Sequence, residues 1–208
     1  MCKRKKLIIF DLDGVLIDSI SNMRASLKKT SLSLEIKLNF SSYVKYLGLP
    51  FETIMKKMGI KKDIKKIKAK YSFFSKKTIH KIKIKKTHLF ELKHLKKNYN
   101  FAVFTSKDKL RTKIILHKYK FFKYIVTSDD VSRGKPHPEG LIKILNKTKN
   151  KKNEVIYVGD SIYDYKASKN FGIKYLHAKW GYEKDLSDKV IINEISNILE
   201  IKKYLWWA

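Results

Sequence analysis

The chain has 208 residues, 43% hydrophobic and 12% aromatic, which suffices for one sizeable core with room for a small second lobe. No apolar run nears the ~20 residues that span a bilayer, and the first, Leu7 to Phe10, is too short for a signal-peptide core, so a cytoplasmic protein is expected. The single cysteine, Cys2, excludes an internal disulfide and a cysteine metal cluster. A net charge of +29 raises nucleic acid, anionic membrane or acidic substrates as partners. Only four of the 48 basic residues are arginines, however (Arg4, Arg24, Arg111, Arg133), and arginine is the residue that phosphate and base-edge recognition favours. A chain rich in lysine and isoleucine and poor in arginine and alanine fits an AT-rich coding sequence, which loads any soluble surface with lysine.

The elements alternate. Leu7, Ile8, Ile9 and Phe10 form an unbroken apolar run ending at Asp11, the pattern of a strand buried on both faces of a parallel sheet. Similar runs recur at Phe101 to Phe104, Tyr124 to Val126, Val155 to Val158 and near Ile173 to Leu176. Between them lie helical patterns: His88 to Lys97 with Leu89, Phe90, Leu92 and Leu95; Leu110 to Tyr119 with Ile114, Ile115 and Leu116; and a helix opened by Pro138 with Leu141, Ile142 and Leu145. This rhythm predicts an α/β fold, a doubly wound, Rossmann-like parallel sheet with right-handed crossovers. At the C-terminus an apolar-periodic helix from about Glu194 to Trp207 is expected to pack on the sheet, with a dimer contact as the alternative.

From about Leu16 to Lys86 no strand can be placed, and the segment reads as a helical insertion after the first strand. Met23, Leu27, Ile54, Met55, Met58, Ile64 and Ile67 supply its inner face. Residues 61–86 hold twelve lysines against one acid, Asp63, a solvated face that could also concentrate an anionic substrate. The expected division is residues 1–15 and 87–208 as the α/β core and 16–86 as a small helical domain.

In open α/β sheets ligands bind beyond the carboxyl ends of the strands. Four clusters lie there. Asp11-Leu12-Asp13-Gly14-Val15 offers two carboxylates on one side of extended backbone, suited either to sharing a proton or to holding a divalent cation. Thr105-Ser106 offers hydroxyls and amides for phosphate oxygens, or a helix cap. Gly134-Lys135-Pro136-His137-Pro138 places a lysine among residues that punctuate the backbone. Gly159-Asp160-Ser161-Ile162-Tyr163-Asp164 brings two carboxylates to one crevice if a helix begins near Ser161. Oxygen ligands without cysteine or paired histidines favour Mg2+ over zinc. His137 is read as a turn residue, and His80, His88, His94, His117 and His177 form no ligand spacing.

With these four clusters in order, the sequence resembles the haloacid dehalogenase-like superfamily of aspartate-nucleophile hydrolases over nearly its whole length. Residues 16–86 then look like that family's small helical cap. Leu47-Gly48-Leu49-Pro50 and Trp180-Gly181-Tyr182 resemble segments of its phosphoglycolate phosphatase and pyrophosphatase subgroup.

The resemblance implies that Asp11 is the nucleophile and Asp13 the general acid and base. It implies Mg2+ held by the Asp11 side chain, the Asp13 backbone carbonyl and Asp160, with Asp164 as ligand or support. Lys135 would neutralise charge on nucleophile and phosphoryl group, and Thr105 with nearby amides would bind the latter. Ser106, Lys107 and Ser161 follow as further candidates. The expected activity is hydrolysis of a small phosphomonoester, foremost 2-phosphoglycolate, and the expected partner is that small anionic phosphorylated substrate. A β-phosphoglucomutase-like mutase and a nucleotide, sugar-phosphate or pyrophosphate phosphatase remain alternatives, as does a polyanion-binding protein outside the enzyme class. Asp13 argues against a dehalogenase, which attacks carbon and needs no acid for an oxygen leaving group.

Overall fold

The computed structural model describes residues 5–84, 86–117, 119, 121–184, 186, 190 and 192–205. Cys2, Arg4, Trp206 and Trp207, which the sequence singled out, lie outside them.

Six strands form one parallel sheet: β1 (Leu7–Phe10), β2 (Asn100–Phe104), β3 (Phe122–Val126), β4 (Val155–Gly159), β5 (Lys174–Ala178) and β6 (Asn193–Ile195), in the order β3-β2-β1-β4-β5-β6. β1 lies centrally, with Phe10 in register with both Val103 and Val158. Its four residues are all buried, and they alternate between two cores. Ile8 and Phe10 join the face covered by Leu92, Leu95, Ile115, Leu116, Ile198 and Ile201. Leu7 and Ile9 join the face covered by Leu141, Ile144, Leu145 and Ala167. This two-sided burial is why the strand reads as a continuous apolar run rather than an alternating one.

The helices covering the first face are α5 (Lys86–Leu95), α6 (Lys109–Leu116) and the short α9 (Lys202–Leu205); α7 (Glu139–Thr148) and α8 (Ile162–Phe171) cover the second. The doubly wound expectation is met. Three apolar residues of the expected stripes, Phe90, Ile114 and Ile142, face solvent instead, because neighbouring positions on the same helices fill the sheet-facing side. The expected helix from Glu194 does not form. Glu194 pairs with His177 in β6, a sixth strand too short to leave an apolar run, and the chain turns helical only at Ile198.

The segment between β1 and α5 contains α1 (Ile20–Ser33), α2 (Phe40–Val44), α3 (Phe51–Lys57) and α4 (Ile64–Lys77) around a separate apolar cluster that includes Met23, Leu27, Ile54, Met55, Ile67 and Tyr71. Met58 and Ile64 pack at its border. A buried polar seam runs beside this cluster. Asn22 Nδ2 donates to Ser75 O and to Thr78 Oγ1, both at 2.9 Å, and Ser75 Oγ donates back to Asn22 Oδ1 at 2.8 Å. Where the two connections to the sheet domain pass, Asp18 and Lys83 exchange backbone hydrogen bonds of 2.8 and 2.9 Å.

On α7, Gly140 lets the helix sit directly on the ring of Phe104, where a Cβ would collide with three ring atoms. Phe104 is buried and packs on Tyr157, so it has nowhere to move. Gly140→Ala is therefore expected to destabilise the protein by about 1–3 kcal/mol in denaturant titrations through overpacking, although helix propensity alone favours alanine by ~1 kcal/mol. A stabilised variant would show that the helix does not approach the sheet this closely.

Candidate active site

The site assembles where β1 and β4, adjacent in the sheet, both end. Asp11 follows β1 and Asp160 follows β4. Ser161 then caps α8, and its capping box fixes Asp164 at the third helical position: Ser161 Oγ and N donate to Asp164 Oδ2 at 2.6 and 3.1 Å. One carboxylate oxygen from each of Asp11, Asp160 and Asp164 lies within 4.8 Å of the others, and all three residues are buried. Gly14, with φ of +87°, lies against the Asp160 carboxylate, where a side chain would both strain the turn and collide with it.

Lys135 enters this cluster from the loop before α7. Its fully buried ammonium donates to Asp11 Oδ1 at 2.6 Å and pairs with Asp164 Oδ1 at 2.7 Å. Tyr157 donates its hydroxyl to Asp164 Oδ1 at 2.5 Å, and the Tyr182 amide donates to Asp160 Oδ2 at 2.6 Å.

Three buried carboxylates share one ammonium, and their acidities separate accordingly. Burial pushes the Asp11 carboxyl up to about 7; Lys135 opposes the rise, while Asp164 and Asp13 add to it. Burial also raises Asp160 well above the usual carboxylate range, reinforced by the charges of Asp11 and Asp164. Asp164 is buried as well, but Lys135, Ser161 and Tyr157 outweigh that burial and hold it below the ordinary value. Lys135, despite its own burial, is held charged by Asp11 and Asp164. Such a pocket disfavours its own full ionisation and so favours a bound cation.

The Asp13 side chain stands outside this triad. Its Oδ1 pairs with Lys107 Nζ at 3.0 Å and accepts a short hydrogen bond from Ser19 Oγ. Ser19 is in turn tied to Tyr182, whose hydroxyl accepts from Ser19 N at 2.7 Å and lies 3.1 Å from Ser19 Oγ. Thr105 is buried after β2, with its Oγ1 accepting from the Lys107 amide at 3.1 Å. Ser106 points toward the helical segment and donates to Gly48 O at 2.6 Å.

Above these groups is a cavity of about 450 Å³. Asp11, Asp13, Thr105, Ser106, Lys107, Asp160 and Ser161 line it from the sheet domain, and Tyr43, Gly48, Leu49, Phe51 and Tyr71 from the helical segment. The structure thus gathers Asp11, Asp160, Asp164 and Lys135 into one cluster, and brings Asp13, Thr105 and Ser106 to the cavity beside it. His137 accepts from the Glu139 amide at 3.2 Å as part of its turn.

Lys107 is a secondary candidate in the sequence, and Ser19, Tyr182 and Arg111 carry no role there. Lys107 was legible as the residue two after Thr105. Tyr182 and Arg111 line the cavity, and Ser19 meets Asp13 behind it, through tertiary contacts that no local spacing announces.

The model of the haloacid dehalogenase-like hydrolase family matches residues 8–178. The chain is 31% identical to a phosphoglycolate phosphatase of Aquifex aeolicus over 189 residues, covering 86% of this chain and 87% of the relative. It is 27% identical to the pyrophosphatase PpaX of Oceanobacillus iheyensis, covering 94% and 96%. Among solved structures, a hydrolase from Pseudomonas syringae superposes with a TM-score of 0.83 at 24% identity, covering 97% of this chain and 98% of the other. A haloacid dehalogenase-like hydrolase from Streptococcus pneumoniae superposes with a TM-score of 0.80 at 23% identity, covering 96% and 98%. The order of four strand-end clusters, the buried carboxylates around Lys135 and a family match that spans most of the sequence agree: this chain belongs to the haloacid dehalogenase-like hydrolase family.

Proposed function

We propose that the chain is a magnesium-dependent phosphatase that hydrolyses a small phosphomonoester, 2-phosphoglycolate being the first candidate, through an aspartyl-phosphate on Asp11. The observation that carries this reading is the buried triad of Asp11, Asp160 and Asp164 with Lys135 bound to two of its members. The relatives named phosphoglycolate phosphatase and pyrophosphatase support it, and the second of them keeps pyrophosphate as the alternative substrate.

The donor set fits Mg2+: all oxygen, rich in negative charge, and without sulfur or imidazole among the three side chains. Asp11 and Asp160, with the Asp13 backbone carbonyl, would hold it, and Asp164 would support or join them. When bound, the cation offsets the repulsion between an anionic nucleophile and an anionic phosphoryl group.

In the proposed reaction an Asp11 oxygen attacks phosphorus as the bond to the leaving oxygen breaks. Asp13 gives its proton to that oxygen and becomes a carboxylate. It then takes a proton from water as the water attacks the phosphoenzyme, the Asp11–phosphorus bond breaks and inorganic phosphate leaves. Lys135 carries positive charge against Asp11 throughout, and Thr105 with the Ser106 amide would bind phosphoryl oxygens. Lys107 and the Ser19–Tyr182 pair hold the Asp13 carboxyl at the cavity, outside the carboxylate triad.

Phosphate release from 2-phosphoglycolate, pyrophosphate, sugar phosphates and nucleoside monophosphates should require Mg2+ and be abolished by Asp11→Asn. Asp13→Asn should lower kcat by about 10²–10⁴, while Tyr182→Phe, which acts only through Ser19, should lower it less. A folded protein that releases no phosphate from any member of the panel would overturn the reading.

The carboxylate triad also sets a pH dependence. A carboxyl whose folded-state pKa is raised binds its proton more tightly folded than unfolded, so its stabilising contribution is present at low pH and lost as pH rises through the folded value. For Asp11 that window runs from the ordinary value of 3.8 to about 7, and Asp160 acts in the same direction. In EDTA, melting temperature should fall between pH 5 and pH 7.5, with a shallower fall in Asp160→Asn. Mg2+, which binds the ionised carboxylates, should raise melting temperature more at pH 7.5 than at pH 5. A metal effect independent of pH would separate the cation from this cluster.

A further inference from the structure

One cation in the cavity has no part in the reaction just described. Arg111, in the first turns of α6, lines the cavity yet is only 7% exposed. Its Nε pairs with Asp108, the residue that caps α6, and its Nη1 donates to Ser75 Oγ at 3.0 Å on α4 of the helical segment. The guanidinium carbon lies 5.2 Å from the centre of the Tyr71 ring, which also lines the cavity.

A guanidinium has five N–H donors in a fixed fork. Two are used here, and both hydrogens of Nη2 lack a partner among the described residues. The pairing of Asp108 is also divided, since Oδ1 caps the Arg111 amide at 2.9 Å and only Oδ2 meets the guanidinium. The Tyr71 ring beside it packs on Phe51, and Met23 and Ile54 also line the cavity. Lys107, the buried lysine of the same cavity, is already engaged with Asp13. Arg111 is therefore a charge held against a cavity by a helix cap and a serine, with the Nη2 donors left over among the described residues.

From this arrangement we infer that Arg111 is a specificity-determining residue: it receives a second anionic group of the substrate, a carboxylate or a phosphate, while the scissile phosphoryl group lies at Asp11. The inference rests on the phosphatase reading and narrows it to small phosphomonoesters or phosphoanhydrides that carry a second negative charge. Arginine suits the task because its planar fork can bind two oxygens at once and stays charged when buried. A neutral tail of the same size leaves those donors unsatisfied in an apolar wall, which sets the discrimination.

The test compares 2-phosphoglycolate, pyrophosphate and ethyl phosphate, whose tails are a carboxylate, a phosphate and a neutral alkyl group, using the full chain and Mg2+. Wild type should prefer one or both charged esters to ethyl phosphate. Arg111→Gln should lower kcat/KM for the preferred ester by about 10- to 100-fold, chiefly through KM, the loss expected for one charge-assisted pair. Ethyl phosphate turnover should change by less than about threefold, and its survival reports that the variant is folded and its phosphoryl chemistry intact. Arg111→Lys, which keeps the charge and loses the fork, should recover only part of the loss. A loss confined to phosphoglycolate identifies a carboxylate, and one confined to pyrophosphate a phosphate.

Equal loss on all three substrates, or no preference in wild type, would overturn the assignment and leave Arg111 as a clasp between α6 and α4. Binding decides the question independently of turnover. Calorimetric titration of phosphoglycolate and of ethyl phosphate into Asp11→Asn and into Asp11→Asn/Arg111→Gln should show the charged ester binding more tightly only when Arg111 is present. If no ester is hydrolysed by wild type, the phosphatase reading fails. The binding comparison then still supports Arg111 as an anion site if the difference persists, and refutes it if the two proteins bind alike.

Discussion

The structure around the cavity depends on one electrostatic arrangement, the ammonium of Lys135 held between the carboxylates of Asp11 and Asp164. Burying a single charge is costly, and burying a pair repays that cost only when the geometry is good and the remaining lone pairs are satisfied. Here Asp164 is fully engaged: Tyr157 donates to the oxygen that Lys135 also meets, and Ser161 donates twice to the other. The arrangement needs β1 and β4 side by side, the cap of α8 immediately after β4, and a loop before α7 that reaches back across the sheet. Each requirement is met by a different part of the chain, which is why residues more than a hundred positions apart meet within hydrogen-bonding distance. Without Lys135, three buried carboxylates would face one another with no counter-charge among the described side chains at hydrogen-bonding distance.

Small groups let one loop of the helical segment come close to the sheet domain beside the cavity. Ser106 donates to the Gly48 carbonyl, Gly48 sits on Ser161 with no room for a Cβ, and Gly134 makes the same close approach to Pro50. The Leu47-Gly48-Leu49-Pro50 segment thus rests on loops that follow β2 and β4 and on the loop that carries Lys135. At the other side the polar seam of Asn22, Ser75 and Thr78 ends at Arg111, so the contact between α4 and α6 is hydrogen-bonded and aromatic. Beside these bonds, Tyr163 and Tyr182 of the sheet domain pack at the border of the helical segment's apolar cluster, so the contact is mixed polar and apolar.

Much of this was legible in the sequence because both strands and caps have local signatures. Leu7–Phe10 and Val155–Val158 read as doubly buried strands, and a carboxylate directly after each marks the ligand-binding edge of such a sheet. Ser161 followed three residues later by Asp164 is a capping box in sequence as well as in space. What stayed hidden depended on long-range packing. β6 is three residues long and its pairing with β5 leaves no periodic trace. Phe90 and Ile114 match a helical stripe yet face solvent, since apolar spacing does not say which of two adjacent faces meets the sheet. Tyr182 was noticed only for its resemblance, and its hydrogen bonds to Ser19 span 163 positions. The separation of Asp13 from the carboxylate triad could not be read from the two-residue spacing, because it is imposed by Lys107 and Ser19.

The net charge of +29 and the negative base of the cavity act at different ranges. Most lysines are solvent-facing, where each is screened over about 10 Å at moderate ionic strength, and together they favour the approach of any anion. That field does not choose among phosphates, nucleic acids or acidic peptides. Selection falls to the cavity, where a cluster of carboxylates repels an anion until a cation or a proton offsets it, and where two of the lining cations, Lys107 and Arg111, are buried. Long-range attraction followed by short-range rejection of anions that do not match both the carboxylate end and the arginine end is consistent with a surface whose composition is set by bulk lysine content. It assigns specificity to side chains that contribute almost nothing to the total charge.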